Sequence, residues 1–252
     1  MTDENQQNED DGIMCLFDKE DSITYIVDKN DKTAGVIECN SHNEKIIIPR
    51  FVEYESTEYQ VITIFTEFIK NKIIKTIEFP SDSKLQTIDS EAFSSSSIEC
   101  LTIPSEVTNL ITGWCINTPK LSKVIVSPMN RRFCLFDDQM IIGKTSIEQS
   151  DYDCLVFCCR TAKQVTIPNF IKYIGSYSFD QSALESIVIP SEVIEIGAGA
   201  FSCRQLQHIE FASNSKLQRI EEYAFLYTSF QSITIPSEVI DIKEGCFYGT
   251  PK

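Results

Sequence analysis

Histidine is almost missing from this chain. Only His42 and His208 occur in 252 residues, so the commonest general base and metal ligand is scarce. No HExxH, GxSxG or Walker-type loop is present, which leaves metalloprotease, hydrolase and phosphate-binding chemistry without a motif. No run of Lys and Arg occurs, and 22 basic residues face 37 acidic ones for a formal charge of −15. That field repels polyanions, which argues against nucleic acid and anionic membrane surfaces as partners. No apolar run is long enough to span a bilayer. The opening MTDENQQNEDDG has neither the basic nor the apolar part of a secretory signal, the closing CFYGTPK carries no lipid-anchor pattern, and no Asn-x-Ser/Thr sequon occurs. These absences predict a cytoplasmic protein without membrane insertion and a disordered acidic tail over residues 1–12.

Cysteine is plentiful by contrast, at ten residues. Their spacing is irregular, and several sit where other small or apolar residues recur. Packed, reduced thiols are the expectation, ahead of a disulfide framework. Cys154, Cys158 and Cys159 cluster. On a regular strand Cys154 and Cys158 face one side and Cys159 the other. A structural metal needs a fourth ligand, and neither histidine is near in sequence, so no metal is expected. The stretch IGAG at residues 196–199 lacks the GxGxxG spacing, so no cofactor is expected either.

Repetition dominates what remains. Residues 187–201 read IVIPSEVIEIGAGAF, and residues 233–247 read ITIPSEVIDIKEGCF. An apolar-x-apolar triplet recurs at Ile46/Ile48, Ile77/Phe79, Leu101/Ile103, Val124/Val126, Val165/Ile167, Ile187/Ile189, Ile209/Phe211 and Ile233/Ile235. Proline often closes it, as at Pro104, Pro190 and Pro236. A second apolar pair follows, such as Val193/Ile196 and Val239/Ile242. Then comes a small–aromatic step: Ala92-Phe93, Ser178-Phe179, Ala200-Phe201, Ala224-Phe225 and Cys246-Phe247. The period is about 22–24 residues.

Alternation turns both residues of each triplet inward and the middle one outward. Proline then removes a donor and stops the strand. One unit cannot bury its own apolar face, but stacked units bury each other's. The expected fold is a β-rich leucine-rich-repeat solenoid with parallel lateral strands.

The string L-x-x-I-x-I-P-S-x-V-x-x-I-G-x-x-A-F, best seen at residues 184–201 and 230–247, resembles the BspA-like, or Treponema-type, leucine-rich-repeat family. The resemblance covers roughly residue 46 onward. It implies the solenoid fold, and it implies a hairpin insertion like the one suggested by residues 130–168. Relatives include surface proteins implicated in adhesion to host cells or matrix, so the resemblance also admits a cell-surface address.

The expected organisation is a tail at 1–12, an N-terminal β cap at 13–44 and a solenoid over 45–252 with a hairpin insertion at about 127–164. Local distortion is expected at RFVEYESTEYQ (residues 50–60) and at Trp114-Cys115-Ile116. An open edge at the last repeat would invite a homodimer. The outward column of Glu78, Thr102, Ile125, Thr166, Val188, Glu210 and Thr234 is the candidate partner-binding face. Ser186, His208 and Ser232 run beside it. Small and largely uncharged, this surface suits a flat protein contact better than a small-molecule pocket. The insertion is the second candidate. Ile196 and Ile242 are both expected inside. The functional expectation is a non-catalytic protein–protein interaction module, adhesin-like at a surface or a scaffold within the cell.

Overall fold

Three antiparallel strands come first: β1 (Ile13–Asp18), β2 (Ile23–Asp28) and β3 (Thr33–Cys39). The structure is a computed structural model that describes residues 12–20, 22–69 and 72–251. The expected tail, Gly12 apart, lies outside the described residues. Strict alternation sets the faces of β2, where Ile23, Tyr25 and Val27 are fully buried.

The chain then winds, laying short strands on two sheets in turn. β4 (Lys45–Ile47) is followed by β5 (Phe51–Tyr54) and β6 (Thr57–Ile64), an antiparallel hairpin. Glu55 and Ser56 turn it with φ of +48° and +60°, the two left-handed residues of a type I′ turn. The segment where distortion was expected is therefore an ordered hairpin. Next come β7 (Thr76–Glu78), β8 (Thr87–Ile88), β9 (Cys100–Ile103), β10 (Asn109–Leu110) and β11 (Lys123–Val126). On the lateral side β4, β7, β9 and β11 pair in parallel. On the second side β3, β6, β8 and β10 do the same.

The insertion contributes β12 (Phe133–Phe136), β13 (Met140–Gly143) and β14 (Cys154–Cys158), which pair antiparallel. Winding resumes with β15 (Tyr173–Ile174), β16 (Ser186–Ile189), β17 (Glu195–Ile196), β18 (His208–Phe211), β19 (Arg219–Ile220) and β20 (Asp241–Ile242). β14, β15, β17, β19 and β20 form a parallel run on the second side. On the lateral side only β16 and β18 pair. Residues 165–167 and 233–235 keep the repeat pattern but form no strand. Among the described residues there is no helix.

The third corner explains the small–aromatic step. One residue ahead of it the backbone is left-handed: φ is +56° at Glu91, +58° at Tyr177, +57° at Gly199, +56° at Tyr223 and +68° at Gly245. Non-glycine residues also take this conformation, but at Gly199 a Cβ would meet the Tyr177 ring of the preceding turn at 2.5 Å. Behind this corner Phe179, Phe201, Phe225 and Phe247 stack with centroids 4.9, 5.6 and 5.6 Å apart. At Gly113-Trp114-Cys115 the backbone is regular, and Phe93 N–H donates to Trp114 O at 2.9 Å. What differs is side-chain order. Trp114 occupies the small position and Cys115 the aromatic one.

The insertion does not protrude. It divides the core. Ile141, Phe157 and Cys159 join the cluster of the N-terminal half, while Met140, Ile142, Leu155 and Cys158 join that of the C-terminal half. A register slip opposite Ile141/Ile142 breaks the alternation of β14. Cys154 and Cys158 therefore do not share a face, contrary to the regular-strand expectation.

Candidate interaction face

Burying both flanking residues of each triplet forces its middle residue outward. Ile187 and Ile189 are buried and Val188 is 54% exposed; Val124 and Val126 are buried and Ile125 is 41% exposed. Thr166, Glu210 and Thr234 are exposed, whereas Glu78 and Thr102 are half-buried. In the neighbouring column His208 and Ser232 are exposed and Ser186 is half-buried. Thus all ten candidate residues lie on the lateral side, but they do not form one continuous sheet. The ladder is closed from β4 to β11, interrupted on both sides of residues 165–167 and interrupted again after β18.

Two grooves mark the interruptions. One, of about 730 Å³, runs beside β16 and is lined by Thr166, Val188 and Glu210. The other, of about 1100 Å³, lies between β18 and residues 229–238 and is lined by His208, Glu210, Ser232 and Thr234. Charge on the face is sparse and partly self-compensated: Lys45 Nζ lies 2.8 Å from Glu78 Oε2. Such exposed pairs contribute about 0–1 kcal/mol each.

Four of the cysteines are held as buried thiols. Burial pushes the thiols of Cys115, Cys154, Cys158 and Cys203 up to about 12. A protonated, buried thiol is a poor nucleophile and a poor ligand. Among the described residues no group of three or more His, Cys, Asp or Glu side chains could hold a metal ion.

Sequence reasoning missed Arg160. It is 1% exposed. Its Nη1 donates to Ser178 O at 2.9 Å and its Nη2 to Tyr177 O at 3.3 Å. The guanidinium also lies 4.6 Å over the Phe157 ring and 3.6 Å from Cys115 Sγ. It fills the space left by the swapped Trp114-Cys115 pair and ties the insertion to the next corner. Nearby, Asp180 Oδ2 accepts the Asn117 N–H at 2.6 Å. Burial raises the Asp180 carboxyl against the opposing pull of Arg160. The only sequence signal was a lone arginine ending the apolar stretch CLVFCCR.

A profile of the BspA-type leucine-rich-repeat region matches residues 40–134 and 145–252, in six copies. The chain belongs to the BspA-type leucine-rich-repeat family. Between the two matched stretches of this BspA-type chain, residues 135–144 fall on the β12–β13 hairpin. A leucine-rich cell surface protein of Faecalibacterium prausnitzii is 18% identical, with a TM-score of 0.50 over 94% of this chain and 92% of that one. The pneumococcal vaccine antigen PcpA is 15% identical, with a TM-score of 0.49 over 95% of this chain and 88% of that one. At such identities the likeness to the first is one of fold. No curated protein sequence matches. Among the described residues no helix is long and apolar enough to cross a membrane.

Proposed function

We propose that this BspA-type chain is a non-catalytic protein-interaction module that binds a protein partner on its lateral face. One observation carries the reading: the outward residues Glu78, Thr102, Ile125 and Val188 are each held between two buried neighbours, and Thr166 and Glu210 each stand beside one. A preordered surface loses little conformational freedom on binding. Its small and β-branched residues favour a broad contact over an enclosed site. The F. prausnitzii relative, described as a cell surface protein, supports an adhesin-like role toward a host-cell or matrix protein.

A second reading is an intracellular scaffold, favoured by Cys15, a free thiol exposed to solvent. Exposed free thiols suit a reducing compartment. We also read the edge of β20 that is unpaired among the described residues as a contact for a second copy of the chain, since Ile240 beside it is 82% exposed.

Labelling intact source cells with a membrane-impermeant biotin reagent separates the two addresses. Labelling without lysis, with a cytosolic control untouched, is expected for the adhesin. Full protection sinks it and directs the search for partners inside the cell. In either case Thr166→Asp is expected to leave melting unchanged and to weaken partner capture at least tenfold.

A further inference from the structure

The groove beside β18 has a feature that a plain solvated sheet lacks. β18 pairs with β16 on one side and with nothing on the other among the described residues. Yet the next turn carries the same apolar triplet and is tied down at both ends of the groove. Ser229 N–H donates to Leu206 O at 2.9 Å, and Ile240 N–H donates to Gln218 O at 3.0 Å. Between those two ties the turn stands away from β18.

The consequence for the backbone is specific. His208 N–H donates toward the β16 side, to Glu185 O at 3.3 Å, and Ala212 N–H does so to Ile189 O at 2.9 Å. In an extended strand the N–H and C=O of one residue point to the same side, and the next residue's point to the other. Ile209 and Phe211 therefore turn theirs into the groove, where no backbone bond from residues 231–236 meets them. An open edge of this kind is a template for another strand.

Charge chooses the occupant. Glu210 and Glu238 line the groove with no lysine or arginine among its walls, in a chain of net charge −15. Phe211 and Ile233 are partly buried on its floor. We propose that this groove takes an extended basic peptide of a protein partner as an added strand, hydrogen-bonded to the free edge of β18. Lysines at alternate positions face Glu210 and Glu238, and apolar residues between them face the floor. The inference rests on the lateral-face reading and adds to the wider contact one strand-binding site and one class of partner segment.

The probe is a capped octapeptide in which lysines alternate with valine and threonine, followed by fluorescence anisotropy against the full chain. Saturable binding is expected, weakened at least tenfold by Glu210→Lys with Glu238→Lys and unaffected by Thr166→Asp. Methylating alternate peptide nitrogens should abolish it, and hydrogen exchange should slow at Ile209 and Phe211 when the parent peptide is added. Binding that survives methylation of each alternate set in turn overturns strand addition. So does equal binding of a glutamate counterpart, or no binding at all. Self-association lost in Glu210→Lys would make a second copy the occupant and overturn the basic-peptide assignment. None of these failures touches the wider face, which Thr166→Asp tests separately through partner capture. Both glutamates are exposed, so unchanged melting of the double variant serves as the folding control.

Discussion

Ile196 lies fully buried in β17, while Ile242, its counterpart in β20, is 47% exposed. Identical places in the repeat thus differ because the neighbour on one side differs. Ile196 has β15 and β19 on its flanks, whereas Ile242 has β19 alone. The sequence expectation that both lie inside fails for Ile242. Aspartate at 196 buries an unpaired charge and should cost on the order of 4 kcal/mol. At 242 the cost should be about 1 kcal/mol or less, as for other exposed sites. Thermal unfolding of Ile196→Asp and Ile242→Asp measures the difference, and equal losses would refute the inside–outside assignment. The same scale shows where the repeat pattern tolerates exchange. Trp114 and Cys115 trade positions without disturbing the backbone, because Phe157 and Arg160 from the insertion occupy the vacated volume.

At the scale of elements, the insertion is the decisive piece. It was legible as an interruption of the period, but its strands read equally well as an exposed hairpin. Burial on both faces shows it to be a partition between two cores, held on one side by Arg160. Asp180 makes this seam sensitive to pH. Burial raises its carboxyl, so the folded chain holds the proton more tightly than the unfolded chain does. That stabilisation is complete below the ordinary carboxylate range and is lost as pH rises through the raised value. Asp180→Asn, which cannot ionise, should therefore match or exceed the parent in denaturant unfolding at pH 7. The advantage should close as pH falls through the raised carboxyl pKa, and a variant weaker at pH 7 would show that the Arg160 attraction prevails.

Over the whole molecule, parallel ladders on two sides and a corner of left-handed residues wrap two runs of aromatic rings, one on each side of the partition. The two runs differ in style. Phe68, Phe93 and Trp114 meet edge to face, whereas Phe179, Phe201, Phe225 and Phe247 stack nearly parallel. At the far end β20 leaves its outer edge unpaired among the described residues, next to exposed Ile240 and Tyr248. A second copy pairing there would give a dimer, and light scattering at rising concentration should show a mass doubling that Ile240→Lys removes. A monomer at every concentration would dispose of that contact.

The sequence by itself determined the repeat unit, the inward and outward sides of each triplet, and the small–aromatic corner. Those follow from period and alternation, which are local properties of the backbone. It could not determine which neighbouring turns close their ladder. Val165-Thr166-Ile167 and Ile233-Thr234-Ile235 carry the same pattern as Ile187-Val188-Ile189, yet only the last is a strand. Nor could it determine which core the insertion serves, or why Arg160 is buried. Each of these depends on what the following turn places alongside, through hydrogen bonds and packing between residues about 20 or more positions apart. The grooves on the lateral face, and with them the site proposed for a partner strand, belong to that second category.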